Sequence, residues 1–190
     1  MKSLKLQIIL FLTILPFNIL NAQQHVKLNF KRIELAIYEV NGNPSKINDI
    51  DYAQINEYGI VSVHLNGNSG LKFYRYQLSN QLMSQINSLI TGKDSLKKHL
   101  VKTKMDAGKH YAGSYNFIAF DKEELCFVEP YMSKAFNLIF NQLEDIILKQ
   151  SENAEINNPK FKLKEIEKRV LIEHKKSNYL PKIEQPFSMK

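Results

Sequence analysis

The residues of this sequence that could do chemistry are five histidines, one cysteine and a few short acidic runs. The histidines are His25, His64, His99, His110 and His174, and no two of them stand two or four residues apart. A first-row metal site read from sequence needs imidazole, thiolate or carboxylate ligands at close spacing on one helix face or hairpin. None of the five has such a neighbour, so neither a metal nor a cofactor is expected. His64 alternates with apolar residues and reads as an exposed histidine on a strand.

A serine nucleophile wants a tight turn flanked by glycines and a His-Asp relay. Gly113-Ser114-Tyr115 comes nearest but lacks the second glycine. Cys126 lies within Leu125-Cys126-Phe127-Val128. That apolar run suits a small buried hydrophobe better than a thiolate, which needs an electropositive, accessible setting. Asn48, Asp49 and Asp51 lack the glycine and the closing acid of a calcium loop, and read as a solvated turn. Glu123-Glu124 reads as a hairpin turn kept polar for solubility. No catalytic residue is assigned from these patterns.

Two surface patterns remain. If Leu71 and Phe73 face the core, strand alternation puts Tyr74 and Tyr76 on the open side, where tyrosines suit recognition. Lys97, Lys98, Lys102 and Lys104 fall on one side of a short basic segment. Lys93 to Lys109 holds six lysines against Asp94 and Asp106. Such a block suits an acidic partner. Across the chain there are 23 Lys and 3 Arg. Nucleic-acid readers use the arginine fork for bases and phosphates, so nucleic acid is not an expected partner. The expected partner is a protein or an acidic component of the cell envelope.

The envelope enters through the N-terminus. Lys2 and Lys5 precede the apolar run Leu6 to Leu15, and Pro16 ends it before a more polar stretch closing on Asn21-Ala22. Positive, apolar and small-residue segments in that order make a secretory signal peptide. Residues 1–22 are therefore expected to be cleaved, leaving a periplasmic or secreted protein that begins near Gln23. A spanning helix needs ~20 apolar residues, and the run is shorter, so the mature protein is not expected to cross a membrane. The only sequon-like triplet, Asn43-Pro44-Ser45, is blocked by its proline. That leans toward a bacterial source.

These groups need elements to carry them. Val26 to Ile37 alternates with a slip near Lys31-Arg32, as a strand with a bulge would. Ser45 to Tyr58 is mixed and reads as loop. Gly59 to Leu65 and Leu71 to Leu78 read as a hairpin around Asn66-Gly67-Asn68-Ser69-Gly70. Ser79 caps a helix to about Ile90, and Asp94 opens a short basic helix. Gly113 to Phe120 and Glu124 to Glu129 read as a second hairpin, apolar on both faces and hence central in a sheet. Tyr131 to Lys149 carries one broad apolar stripe, from Met132 to Ile147. Leu163 to about Lys175 suits a charged helix or a strand.

The expected fold is α+β, a largely antiparallel sheet of four to five strands with helices packed on one side. Residues 23–150 form a single domain, and 151–190 a charged C-terminal extension, partly helical or extended. The expected function is that of an exported, non-enzymatic binding or interaction protein, of which an inhibitor or immunity-type protein is a special case. The alternative is a small exported hydrolase whose active site is assembled from residues distant in sequence.

Overall fold

The computed structural model describes residues 26–40, 46–67, 70–90, 96–101, 114–148 and 161–181. Residues 1–22, read above as a signal peptide, and His25, Asp94, Lys102, Lys104, His110 and the ends of the C-terminal extension lie outside the described residues.

In strand β1 (Arg32–Val40), Ile33 and Leu35 point to one side and Ala36 and Tyr38 to the other, and all four are buried. A strand covered on both faces belongs in the middle of a sheet. β1 pairs antiparallel with β2 (Ile47–Asn56) and with β5 (Tyr115–Phe120). β3 (Ile60–Gly67) and β4 (Gly70–Gln77) extend the sheet beyond β2, and β6 (Glu123–Phe127) ends it beyond β5. The sheet is six-stranded and antiparallel throughout, in the order β4-β3-β2-β1-β5-β6.

The α+β fold with an antiparallel sheet is as expected, but there is one strand more than four to five. The addition is β2, the stretch read as loop. Its Asp49, Asp51 and Gln54 obscure the alternation, and its register shifts by a bulge opposite Glu39/Val40. Asp49 and Asp51 are strand residues rather than a solvated turn. Asp51 Oδ1 accepts the backbone N–H of Asn66 at 2.8 Å, and Asp49 accepts from the Asn66 side-chain amide. Pairing on both sides supplies the backbone bonds that propensity alone does not favour.

Helix α1 (Asn80–Leu89) starts where Ser79 Oγ accepts the N–H of Leu82 at 3.2 Å. Helix α2 (Lys134–Leu148) starts later than Tyr131, because Glu129–Tyr131 forms a 3-10 turn around Pro130 and Ser133 caps the N–H of Phe136. Both helices lie on one face, where Leu82, Met83, Ile86, Phe136, Ile139, Phe140, Leu143 and Ile147 pack on Ile33, Leu35, Ala53, Ile55, Val61, Val63, Ile118 and Leu125.

Helix α3 (Leu163–Lys176) departs from the one-sided expectation. Its Ile166 and Val170 pack on the opposite face, with Ala36, Tyr38, Tyr52, Tyr115, Phe117, Cys126 and Val128. The reason is in the strands themselves. β1 and β5 carry large apolar side chains on both faces, so a single layer of helices would leave one set in water. Among the described residues, no helix is long and apolar enough to cross a membrane.

Candidate binding groove

The outer side of β6 is where three separate segments meet. A 3-10 turn, Leu96–His99, is anchored to the β5–β6 hairpin by the Leu96 N–H, which donates to Glu123 Oε2 at 2.8 Å. The turn is also tied to the approach of α2. The Ser133 N–H donates to the His99 carbonyl, and the Val101 N–H to the Tyr131 carbonyl, both at 2.7 Å. Leu96 and His99 are buried by this, which leaves Lys97 and Lys98 exposed. The third segment is the end of α3. The Tyr179 hydroxyl donates to the Cys126 carbonyl at 2.6 Å, and the Tyr115 hydroxyl to the Pro181 carbonyl at 2.7 Å.

Between them lies an open groove of about 450 Å³. Lys97, Lys122 and Lys176 contribute ammonium groups, Glu123, Glu124 and Glu173 carboxylates, and Leu96 and Tyr179 apolar surface. The carboxylates are engaged by the protein itself. Glu123 holds the Leu96 N–H, Glu124 is held by Arg169, and Glu173 lies 3.9 Å from Lys176. Lys97 and Lys122 reach the groove from two different elements, and both are exposed.

Under α3 lies a polar network. The Arg169 guanidinium donates from Nη1 to Glu34 Oε2 at 2.8 Å and from Nε to Glu124 Oε1 at 2.7 Å. The Tyr52 hydroxyl donates to Glu34 Oε1 at 2.7 Å. Burial, and next the bond to the Glu34 carboxylate, push the Tyr52 phenol far above its ordinary range. Each oxygen of the buried Glu34 therefore has a donor. This arrangement fixes α3 to β1 and β6.

A second cluster lies farther along α3. His174 Nδ1 is 2.8 Å from the Tyr38 hydroxyl, and the His174 ring meets that of Tyr115 edge-on. Burial holds His174 below its ordinary pKa, and the ring shares a hydrogen bond with the Tyr38 hydroxyl. Cys126 is fully enclosed beside this pair, and burial pushes its thiol up to about 12. It is the buried hydrophobe its neighbours imply, with its S–H directed at the Val170 carbonyl. Among the described residues, no group of three or more His, Cys, Asp or Glu could hold a metal ion.

The two surface patterns read from sequence fare differently. Tyr74 is only 5% exposed and lies in the core with α1, and the half-buried Tyr76 packs against the same core. The phase is opposite to that assumed, because cross-strand partners share a face. Tyr74 is paired with the buried Val63 and Tyr76 with the buried Val61, so both turn inward. Phe73 lies on the other face, beside His64 and Phe161. His64 is also a correction. It is 2% exposed, covered by the layer that carries Phe161, and burial lowers its pKa against the pull of Asp51. Neither ring nitrogen of His64 has a hydrogen-bond partner among the described residues.

Lys97 lines the groove and Lys98 stands beside it on the same turn. Sequence reasoning missed Lys122, Lys176 and Glu173, which share no local pattern with Lys97 and meet it only through the fold. It also missed Arg169, whose one available signal is that it is one of three arginines in a lysine-rich chain. Comparison of the chain with protein-family models, curated proteins and solved structures finds no significant match.

Proposed function

We propose that the protein is an exported binding protein that takes a polar ligand with acidic groups in the groove between β6, the Leu96–His99 turn and the end of α3. The observation that carries this reading is the groove itself. It is a concavity of about 450 Å³ lined by three lysines from different segments, three glutamates, Ser177, Leu96 and Tyr179. Its size is that of a small-ligand site or of a pocket for one segment of a larger partner. Glu123 and Glu124 tie the Leu96 turn and α3 to the hairpin, and the lining residues Lys97 and Lys122 are exposed. An acidic peptide or an acidic envelope component has the matching chemistry. Export rests on the order of segments in residues 1–22, and N-terminal sequencing of the protein from its native host is expected to begin near Gln23.

The binding test is a titration of the mature protein with a short polyglutamate peptide, followed by the amide resonances of Leu96, Lys97, Lys122 and Ser177. These are expected to shift together, and the effect is expected to weaken as added salt shortens the Debye length from about 10 Å at 0.1 M. Lys97→Glu combined with Lys122→Glu is expected to abolish the shifts without lowering the melting temperature. Shifts that leave these four residues untouched would remove the groove from consideration.

A further inference from the structure

The two edges of the sheet are treated differently. At β6 the chain covers part of its own edge: the Tyr179 hydroxyl bonds the Cys126 carbonyl, and the Leu96 turn is held beside the strand by the Glu123 side chain. At β4, the other edge, the only strand partner among the described residues is β3. β4 is eight residues long and contains no proline, and its register with β3 runs without a shift. An edge of this length, unpaired among the described residues and with neither bulge nor proline, is a template for another strand.

The register shows which backbone groups are offered. The Leu78 N–H donates to the Gly59 carbonyl at 2.9 Å, which makes that pair hydrogen-bonded. Alternate residues then share its direction, so Tyr76, Tyr74 and Lys72 bond to β3. Leu71, Phe73, Arg75 and Gln77 point their N–H and C=O groups outward.

We infer that β4 pairs antiparallel with β4 of a second copy of this chain, with the twofold axis at Tyr74, to give one continuous sheet through both copies. This register matches all four outward residues, Leu71 with Gln77 and Phe73 with Arg75, and makes about eight backbone hydrogen bonds. It also sorts the charges. Each exposed Arg75 lies directly opposite the partner copy's Phe73, a cation over an aromatic ring. On the other face Lys72 lies opposite Tyr76. Shifting the axis to Arg75 would set arginine directly against arginine, and shifting it to Phe73 would carry the Gln77 pairing off the end of the strand. The two arginines of the dimer stand on a diagonal, roughly 7–8 Å apart. Added salt screens that repulsion, so this association strengthens with salt, the opposite of ligand capture by the lysine groove.

The test is amide hydrogen exchange on the mature protein, with sedimentation, at concentrations up to about 1 mM. The amides of Leu71, Phe73, Arg75 and Gln77 are expected to slow with concentration by at least ~10-fold relative to dilute protein, and more so in added salt, as a dimer appears. Arg75→Pro removes an outward N–H and leaves the bonds to β3 in place, so it is expected to be a folded monomer. If that variant does not fold, Phe73→Arg decides. It sets like charges opposite one another and is expected to weaken the dimer by about 10-fold or more. A wild-type protein that stays monomeric, four amides that exchange freely at every concentration, or a folded Arg75→Pro that still dimerises would each overturn the inference. An edge that accepts only a foreign strand gives the first of these results.

Discussion

Arg169 and Glu34 stand 135 residues apart in the chain and 2.8 Å apart in space. One guanidinium joins the last described helix to the central strand and, through Glu124, to the edge strand. Glu34 is buried and Arg169 is about a third exposed. Such a pair adds little over an apolar equivalent, but losing one partner strands the other charge.

Arg169→Ala is therefore expected to cost about 2–3 kcal/mol, at or below the lower end of the range for breaking a buried pair because the arginine is still partly wet. Replacing Arg169 by Met together with Glu34 by Gln is expected to recover part of that loss, since no buried charge then remains and Glu124, which loses its partner too, is partly in water. Urea unfolding of the three proteins measures both. A single variant as stable as the wild type would mean that the network does not hold α3.

The stripe of α2 separates buried from exposed positions within one turn. Phe136 is 1% exposed and Leu138 is 65% exposed. Phe136→Ala is expected to cost about 3–5 kcal/mol and Ile139→Ala about 2–5 kcal/mol, through lost burial and the cavity left behind. Leu138→Ala should stay within about 0.5 kcal/mol. Equal melting temperatures for Phe136→Ala and Leu138→Ala would contradict the packing of this helix.

The pH dependence follows from His64 and His174, both held by burial below their ordinary value of 6.5. In the unfolded chain these groups take up protons first as the pH falls. Stability is therefore full above the unfolded value and declines as the pH drops through about 6.5 toward the lower native values. Asp51, which burial raises, acts in the opposite direction, but in the carboxylate range. Urea midpoints should be level between about pH 7.5 and 8.5 and fall from about pH 7 to 5.5. His64→Phe and His174→Gln should each flatten that fall. A midpoint independent of pH in the wild type would show that both rings are solvated.

Cys126 reports on opening of the sheet. Its side chain has no exposed surface, and its thiol is pushed up to about 12, so native protein has neither access nor thiolate for alkylation. Labelling by iodoacetamide at pH 8 is expected to be slow and to speed up in step with global unfolding as urea is added. Rapid labelling of native protein would place the thiol at the surface.

Much of the local structure was legible in the sequence. The two hairpins, the Ser79 cap, the apolar stripe of α2 and the buried setting of Cys126 depend on residues within a turn or two of one another. Turn chemistry and periodicity report on that range directly. The features that define the candidate sites do not have that range. Tyr74 and Tyr76 alternate with Phe73 and Arg75 whichever face is covered, and it is the pairing of Tyr74 with Val63 that turns them inward. β2 was hidden because its acids weaken the strand pattern, while its two neighbours supply the hydrogen bonds that hold it.

By itself, the sequence determined an α+β chain with enough apolar surface for both sides of a sheet and an excess of lysine. Only the tertiary structure decided that α3 covers the second face. It also joined Arg169 to Glu34 and Glu124, buried His64 under the layer of Phe161, and gathered Lys97, Lys122 and Lys176 around one groove. The physical reason is that burial, ion pairing and concavity are properties of pairs far apart in the chain. Which distant pairs meet is set by sheet order and register, and these are chosen by packing the whole molecule at once.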